Sequence, residues 1–284
     1  MKLFFSLILT LFYTMTNYSQ TRDTIYLWPD KVPGQIEVKQ NPTQSSNKTG
    51  NVIRLNKVTN PALIVYEPKI SNNNGVSIIV SPGGGYGILA IDLEGYEIAA
   101  WLSKLGYTAY VLQYRVPNKR KEALYDLQRA IKVIRSKNAA LGLSTKKLGV
   151  IGFSAGGSLS ARASTQFSEK SYTLMDEIDT ISSRPDFALL IYPAYLDEGE
   201  NRNLSPELLV NTQTPPMFIF ATADDKYGNS TLVMATALRD NKVPVELHLL
   251  PNGGHGYGIR SGNIAAETWP SLAGTWLQNE VLNK

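Results

Sequence analysis

The chain has 284 residues, of which 43% are hydrophobic and 18% charged, a composition that can bury a core and argues against a disordered protein. It has no cysteine and only two histidines, which excludes disulfides, a thiol nucleophile and cysteine-ligated zinc and makes a histidine-rich metal site unexpected. The formal net charge of +4 comes without a long basic stretch, so the sequence does not predict nucleic-acid binding.

The N-terminus has the pattern of a secretory signal peptide. Lys2 is followed by an almost wholly apolar stretch, residues 3–13, and then by small and polar residues. The apolar stretch is shorter than the roughly 20 residues that a membrane-spanning helix needs. We therefore expect residues 1–19 to be a signal peptide, cleaved near Ser19 or Gln20, and a secreted or periplasmic protein without stable membrane insertion. An N-terminal membrane anchor is the alternative.

Regular secondary structure is predicted from residue 62 onward. The preceding residues, 21–60, are polar and rich in turn formers, and residues 40–51 read as a loop. After them, short apolar stretches alternate with segments whose apolar residues recur at helical spacing. Strands are predicted at residues 62–66, 76–80, 108–114, 148–153, 187–192, 217–221 and 245–250, and helices at residues 93–105, 121–140, from 156 onward, 231–239 and 269–281.

This alternation predicts a single α/β domain over residues 20–284. Continuous apolar strands between amphipathic helices indicate a mostly parallel central sheet with helices on both faces. In such sheets the chemistry lies at the carboxyl ends of the strands. A functional motif is therefore expected directly after a strand.

The segment Gly152-Phe153-Ser154-Ala155-Gly156 matches the pattern G-x-S-x-G and follows the strand at residues 148–153. Glycines at both flanks allow a sharp turn from strand to helix, which raises the serine hydroxyl above the edge of the sheet. The N-terminus of the following helix points amide groups at developing negative charge. The motif therefore predicts Ser154 as a nucleophile.

A serine hydroxyl is a poor nucleophile at neutral pH and needs a neighbouring base. His255 lies in a glycine-rich loop directly after the strand at residues 245–250, whereas His248 lies inside that strand. A loop at the carboxyl end of a strand can reach a site above the sheet, and this position favours His255 as the base.

The base in turn needs a carboxylate to orient it. Asp224 and Asp225 both follow the strand at residues 217–221, and either could serve. The distance of Asp224 from the strand end favours it and leaves Asp225 as a turn or helix-capping residue. Ser154, Asp224 and His255 then follow the chain order of α/β-hydrolases.

A glycine run after the strand at residues 76–80 is the candidate oxyanion loop. Glycines there let backbone N–H groups approach a substrate closely, and the run has the position of the His-Gly-Gly-Gly loop of lipases and esterases. We expect the amides of Gly84, Gly85 and Ala155 to form the oxyanion hole. Tyr86 and Tyr257 are predicted to line the substrate cleft, with loop packing as the alternative for both.

Several stretches of the chain together resemble one family. These are Pro82-Gly83-Gly84-Gly85-Tyr86, Asp92, Glu94, Gly95, Trp101-Leu102, Tyr114-Arg115, Asp126, Gln128-Arg129-Ala130-Ile131 and Gly152-Phe153-Ser154-Ala155-Gly156-Gly157. With them, the chain from about Ala62 to the C-terminus is similar to bacterial carbohydrate esterases of the α/β-hydrolase fold. These are the acetyl xylan esterase-like proteins, which are akin to feruloyl esterases and to prolyl-oligopeptidase catalytic domains.

The resemblance implies a secreted serine esterase that removes acetyl, or sometimes feruloyl, groups from plant-type polysaccharides or oligosaccharides through an acyl-enzyme. An acylated carbohydrate is the implied partner, and neither a cofactor nor a metal is implied. One departure is that Asp224-Asp225-Lys226-Tyr227 lacks the Val-Pro that often follows the acidic residue, which leaves Asp225 open as the acid. A prolyl-oligopeptidase-like peptidase and a non-catalytic binding module on a hydrolase fold are the alternative functions.

Overall fold

The structure is a computed structural model that describes residues 22–47, 49–142, 147–169 and 171–283. The expected signal peptide, residues 1–19, lies outside the described residues. In chain order, the strands are β1 (Thr24–Tyr26), β2 (Thr43–Gln44), β3 (Arg54–Asn56), β4 (Ala62–Tyr66), β5 (Ser77–Ser81), β6 (Leu89–Ala90), β7 (Thr108–Gln113), β8 (Leu148–Phe153), β9 (Phe187–Ile191), β10 (Met217–Thr222) and β11 (Val245–Leu250). The α-helices are α1 (Glu97–Lys104), α2 (Arg120–Ala140), α3 (Ala155–Thr165), α4 (Gly228–Asp240) and α5 (Ile264–Trp276).

Most strands belong to one eight-stranded sheet with the order β1-β4-β7-β5-β8-β9-β10-β11. The strands from β7 to β11 in this order pair in parallel. At one edge, β4 pairs antiparallel with β7, and β1 pairs antiparallel with β4. Every residue of β5, β8, β9 and β10 is buried, as expected for parallel strands covered on both faces. The predicted α/β class is confirmed.

Helices cover both faces of this sheet, as the end of β8 shows. Consecutive residues of a strand point to opposite faces. The Cβ direction of Gly152 points to the hydroxyl of Ser160 in α3, whereas the ring of Phe153 lies 5.7 Å from the ring of Trp269 in α5. Thus α3 and α5 lie on opposite faces.

The order of the strands reverses at β5, which places a crevice beside it. The strand after β5 in the main sheet, β7, lies on one side of it, and the next one, β8, lies on the other. At such a switch point the connections leave a crevice at the carboxyl ends of the two strands, where ligands bind. Ser81 ends β5 and Ser154 follows β8, so the glycine run and the serine motif meet at this crevice.

The polar N-terminal segment contains strands that the sequence did not reveal. β1 joins the main sheet beside β4, and β2, β3 and β6 form a separate three-stranded antiparallel sheet. The expectation of a loop over residues 40–51 is therefore wrong at Thr43–Gln44. Each of these strands has only two or three residues, too few for an alternating pattern to be recognised.

The last helix also begins earlier than predicted, at Ile264 rather than near residue 269. Asn263 caps it, because its side-chain oxygen accepts hydrogen bonds from the N–H groups of Ala265 and Ala266. Among the described residues, no helix has both the length and the apolar character needed to cross a membrane.

Candidate active site

Ser154 occupies a strained turn between β8 and α3. Its φ of 52° and ψ of −117° are uncommon for a residue with a side chain. Backbone hydrogen bonds hold it there, from its own N–H to the carbonyl of Ile191 (3.2 Å) and from the N–H of Ala194 to its carbonyl (3.1 Å). The turn is so tight that a Cβ atom on Gly152 would overlap the carbonyl oxygen of Gly156. The flanking glycines of the motif are therefore a steric requirement.

His255 reaches Ser154 from the loop that follows β11. Its Nε2 lies 2.7 Å from Ser154 Oγ, and its ring packs against the rings of Tyr192 and Tyr227, with centroid distances of 5.1 and 4.9 Å. His248 instead lies on β11, with its Nε2 2.8 Å from Glu246 Oε1. The structure thus brings His255 to the serine and not His248, as the sequence predicted.

The carboxylate on His255 belongs to Asp225, which corrects the prediction of Asp224. Asp225 Oδ2 lies 2.7 Å from His255 Nδ1, and its side chain is fully buried. Its Oδ1 accepts a hydrogen bond of 2.9 Å from the N–H of Tyr227, so the orientation of the carboxylate is fixed independently of its contact with His255.

Asp224 holds the backbone of the same loop. It accepts hydrogen bonds from the N–H groups of Gly253 (3.2 Å) and Gly254 (2.9 Å), just before His255. Hydrogen bonds from the Gly254 amide, the Thr222 hydroxyl and the Gly253 amide lower the pKa of Asp224 below its usual value. The two aspartates therefore bind the two parts of one loop, its backbone and its imidazole, which explains why their sequence positions alone could not assign the roles.

The expected oxyanion donors lie where they can face a substrate. Gly84 and Gly85 line the same cleft as Ser154 and His255, and within the described part of the chain their N–H groups donate to no protein acceptor. Ala155 is the first residue of α3, and the first N–H groups of a helix have no partner inside it. The assignment of these amides to an oxyanion hole stays a prediction.

The cleft around Ser154 has a volume of about 340 Å³. The three-stranded sheet, the oxyanion loop and the segments after β9, β10 and β11 all contribute to its lining. Its lining residues are Val52, Arg54, Gly84, Gly85, Ile88, Ala90, Leu93, Glu94, Ser154, Tyr195, Lys226, Tyr227, His255 and Gly256.

The tyrosines of the cleft are not those that the sequence indicated. Tyr86 is 4% exposed and packs against Tyr195, and Tyr257 is 8% exposed and packs against Tyr192 at 4.4 Å between centroids. Neither lines the cleft, so the prediction that they contact substrate is corrected to the packing role. Tyr195 and Tyr227 line it instead. Tyr227 lies two residues after Asp225, and its place in the loop that follows β10 is the signal that could have identified it.

Two cations lie along the cleft. The guanidinium of Arg54 donates to the backbone carbonyls of Thr49 (2.8 Å) and Val52 (3.0 Å), so it is fixed against its own loop. The ammonium of Lys226 lies 4.8 Å from the ring centroid of Tyr227, a cation–π contact at the mouth of the cleft. No group of three or more His, Asp or Glu side chains in the described ranges is arranged to hold a metal ion.

Comparison with known proteins finds relatives among carbohydrate-active hydrolases. The BD-FAE family model matches residues 63–191. An acetylxylan esterase of Xylanibacter ruminicola is 27% identical over 234 residues, which cover 73% of this chain and 46% of the relative. An endo-1,4-beta-xylanase B of Butyrivibrio fibrisolvens is 28% identical over 282 residues, which cover 87% of this chain and 44% of the relative. The chain thus spans about half the length of the curated relatives that it matches.

Solved structures match over most of the chain. An acetyl ester-xyloside bifunctional hydrolase from Caldicellulosiruptor lactoaceticus has a TM-score of 0.73 and 30% identity, covering 91% of this chain and 96% of that one. MGS-M1, an alpha/beta hydrolase enzyme from a Medee basin deep-sea metagenome library, has a TM-score of 0.63 and 27% identity, covering 86% and 98%. These likenesses confirm the fold predicted from the sequence.

Proposed function

Since the chain belongs to the BD-FAE family of α/β-hydrolases, we propose that it is a serine esterase that removes acetyl groups from carbohydrates through an acyl-enzyme. One observation carries the proposal. Ser154 Oγ, His255 and Asp225 form a continuous chain with two contacts of 2.7 Å, at the carboxyl ends of the parallel strands β8, β10 and β11. Such a chain is the geometry of a serine nucleophile with its base and its orienting acid.

In the first half of the reaction, Ser154 Oγ attacks the ester carbonyl and gives its proton to His255 Nε2. Asp225 accepts the Nδ1–H bond of His255, which fixes the tautomer and stabilises the cationic ring. The amides of Gly84, Gly85 and Ala155 stabilise the oxyanion, a contribution of about 3 kcal/mol for a single donor in comparable sites. His255 then returns the proton to the sugar oxygen, which leaves.

In the second half, water attacks the acetyl ester on Ser154. His255 takes a proton from this water, and the same amides stabilise the second oxyanion. Collapse of the intermediate breaks the bond to Ser154 Oγ, which takes the proton back from His255, and releases acetic acid, which ionises to acetate. The proton transfers use only Ser154, His255 and Asp225, which already lie within hydrogen-bonding reach of one another.

The names of the relatives support a carbohydrate ester as the substrate. They are an acetylxylan esterase, a xylanase and an acetyl ester-xyloside hydrolase. Tyr195 and Tyr227 line the cleft, and their rings offer apolar faces for a sugar beside hydroxyls for hydrogen bonding. An acetylated plant-type polysaccharide or oligosaccharide is the substrate that we propose.

The decisive experiment replaces Ser154 with alanine. We expect turnover of an aryl acetate and of acetylated xylo-oligosaccharides to fall by roughly 10⁴-fold or more. Ser164→Ala is the matched control, because it removes another buried hydroxyl from α3 at its far end. Near-normal activity of Ser154→Ala would overturn the proposal. Faster turnover of feruloylated sugars or prolyl peptides than of acetylated sugars would replace the substrate class.

We also propose that the protein acts outside the cytoplasm after residues 1–19 are removed. The support is the order of basic, apolar and small-polar residues that begins at Lys2. N-terminal sequencing of the protein recovered from periplasm or medium should begin at Gln20 or Thr21. A cytoplasmic protein that retains Met1 would contradict this location.

A further inference from the structure

Glu94 is a buried carboxylate at the active site that the proposed reaction does not use. It is 3% exposed and borders the same cleft as Ser154. Its Oε2 accepts a hydrogen bond of 2.8 Å from the N–H of Gly83, and its Oε1 accepts one of 2.9 Å from the hydroxyl of Tyr192. Each of its oxygens therefore binds a different part of the site.

The first of these bonds fixes the oxyanion loop. Gly83 directly precedes Gly84 and Gly85, the expected oxyanion donors, and its own amide is occupied by Glu94. A Cβ atom on Gly83 would lie 2.6 Å from Glu94 Oε2 and 2.8 Å from the Cβ of Ser154. The carboxylate, the loop and the nucleophile thus meet where no additional side chain fits, and movement of one displaces the others.

The second bond leads to the histidine loop. The Tyr192 hydroxyl donates to Glu94 and accepts a hydrogen bond of 2.9 Å from the N–H of Gly258, three residues after His255. The Tyr192 ring also packs edge-on against His255, with 5.1 Å between centroids. Glu94 and Tyr192 therefore connect the oxyanion loop to the loop that carries the base.

The energetics of Glu94 differ from those of a structural carboxylate. Asp126 is also fully buried, but it pairs with the guanidinium of Arg115 at 2.8 Å. Within the described ranges, no Lys, Arg or His nitrogen lies within 4.0 Å of Glu94. Burial raises the pKa of both carboxyl groups, but Glu94 lacks the cation that offsets the cost of burying a charge at Asp126, a cost that an apolar residue in its place would not carry. Fold stability therefore does not account for a carboxylate at this position.

We propose that Glu94 is a positioning residue that keeps the oxyanion loop and the His255 loop in register across Ser154. The inference rests on the proposed esterase function, because its effect is measured in turnover. Glu94 acts on the transition state through the amides of Gly84 and Gly85 and the ring of His255, and not by contact with the substrate. Its loss should therefore lower kcat and leave KM nearly unchanged.

Glu94→Gln is the first test, since glutamine keeps the shape of the side chain. It has one acceptor oxygen and a donor NH₂ group, so it can accept from Gly83 or from Tyr192 but not from both. We expect kcat on an aryl acetate to fall roughly 10- to 100-fold, the size of a small misplacement of catalytic groups, with KM within about twofold.

The matched control is Glu177→Gln. Glu177 is an exposed residue between α3 and β9 that does not line the cleft, and kcat of this variant should stay within about twofold of wild type. Thermal unfolding confirms that each variant is folded. Unchanged kcat in Glu94→Gln, or a loss confined to KM, would overturn the positioning role.

A double-mutant cycle with Tyr192→Phe tests the connection itself. Phenylalanine removes the hydroxyl, so the amide oxygen of the substituted glutamine is then free to accept from Gly83 alone. We expect Glu94→Gln to cost less than about threefold in kcat in the Tyr192→Phe background. If the fold-losses in kcat of the two single variants multiply in the double variant, a connection through Tyr192 is contradicted.

The two proposals fail in different ways. Turnover that survives Ser154→Ala would refute the proposed function, whereas turnover that needs Ser154 but is unchanged in Glu94→Gln would refute this inference alone.

Discussion

Both sheets contribute residues to the same cleft, but they are built in different ways. The strands of the main sheet that lead to Ser154 and Asp225 have six residues each, and all are buried. The strands of the small sheet have two or three residues, and β3 is only half-buried. Ser154 and Asp225 thus follow fully buried strands, whereas the small sheet contributes Arg54 and Ala90 to the cleft wall. We propose that the small sheet contributes to substrate binding together with Tyr195 and Tyr227, which follow strands of the main sheet, whereas the reacting side chains all follow the main sheet.

Polar contacts link the segments beside the small sheet to the histidine loop, in addition to the packing of its Leu89 in the hydrophobic core. Arg260, five residues after His255, donates to the carbonyl of Asn51 at 2.7 Å and to the carboxylates of Asp92 and Glu97 at 2.9 and 2.6 Å. Its side chain is 32% exposed. The wall of the cleft is therefore fastened to the histidine loop by a partly solvated ion-pair network, which is weaker than buried packing.

The largest effect on turnover should come from substitution of Asp225, the proposed acid that follows β10 of the main sheet. We expect Asp225→Asn to lower kcat by roughly 10⁴-fold, because an amide favours the wrong tautomer of His255. Asp224→Asn, which keeps one acceptor for the Gly253 and Gly254 amides, should lower it by less than about tenfold. Steady-state kinetics on an aryl acetate compares the two. A larger loss in Asp224→Asn would restore the original assignment of the acid.

The next largest effect concerns the stability of the turn between β8 and α3 that carries Ser154. Gly156→Ala would place a Cβ atom against the carbonyl oxygens of Ser81 and Pro82. We expect the free energy of unfolding to fall by about 3 kcal/mol, measured by urea denaturation. Gly274→Ala in α5 is the control, because no atom lies within 4 Å of its Cβ position. That variant should gain about 0.5–1 kcal/mol, and equal losses in both would show that the elbow is not crowded.

A smaller effect is expected on the side of the small sheet. Arg260→Gln should raise KM for acetylated xylo-oligosaccharides roughly threefold to tenfold, with kcat within about twofold, since the wall moves but the triad does not. The free energy of unfolding should fall by about 1 kcal/mol. Arg239→Gln, which removes an exposed pair with Asp240, is the control. A fall in kcat without a rise in KM would mean that the Arg260 contacts support the reacting groups and not the substrate-binding wall.

The smallest effect is a pH dependence of stability at Glu94. Because burial raises its pKa above the usual 4.5, the folded protein keeps this proton at pH values where the unfolded chain has lost it. Stability therefore falls as pH rises above 4.5 through the higher folded pKa. The glutamine of Glu94→Gln does not titrate, so the free energy of unfolding of this variant relative to wild type should increase as pH rises through this range. Parallel unfolding curves across pH would show that Glu94 titrates normally.

The same contrast explains which features the sequence could predict. The limits of β4, β8 and β11 agree with the prediction to the residue, because long stretches of apolar or alternating residues leave a readable pattern. Ser154 and His255 were identified since each follows such a strand. The choice between Asp224 and Asp225 depends on how a turn orients two adjacent side chains, and local patterns do not contain that information.

The remaining differences come from contacts between distant segments. Tyr86 and Tyr257 differ from Tyr195 and Tyr227 only in tertiary surroundings, which decide whether a ring packs inward or borders a cleft. Glu94 binds residues 11 positions before it and 98 after it. No local rule of periodicity or turn composition reports such partners.

The position of β11 at the edge of the main sheet has a consequence for inactivation. Among the described residues β11 pairs only with β10, whereas β8 lies between two strands. Edge elements open at lower free energy than the whole fold, so local opening of β11 would withdraw His255 while Ser154 stays in its elbow. On heating, we expect activity to be lost before secondary structure, as a comparison of residual turnover with far-ultraviolet circular dichroism would show. The protein would then lose its base while most of its native fold persists.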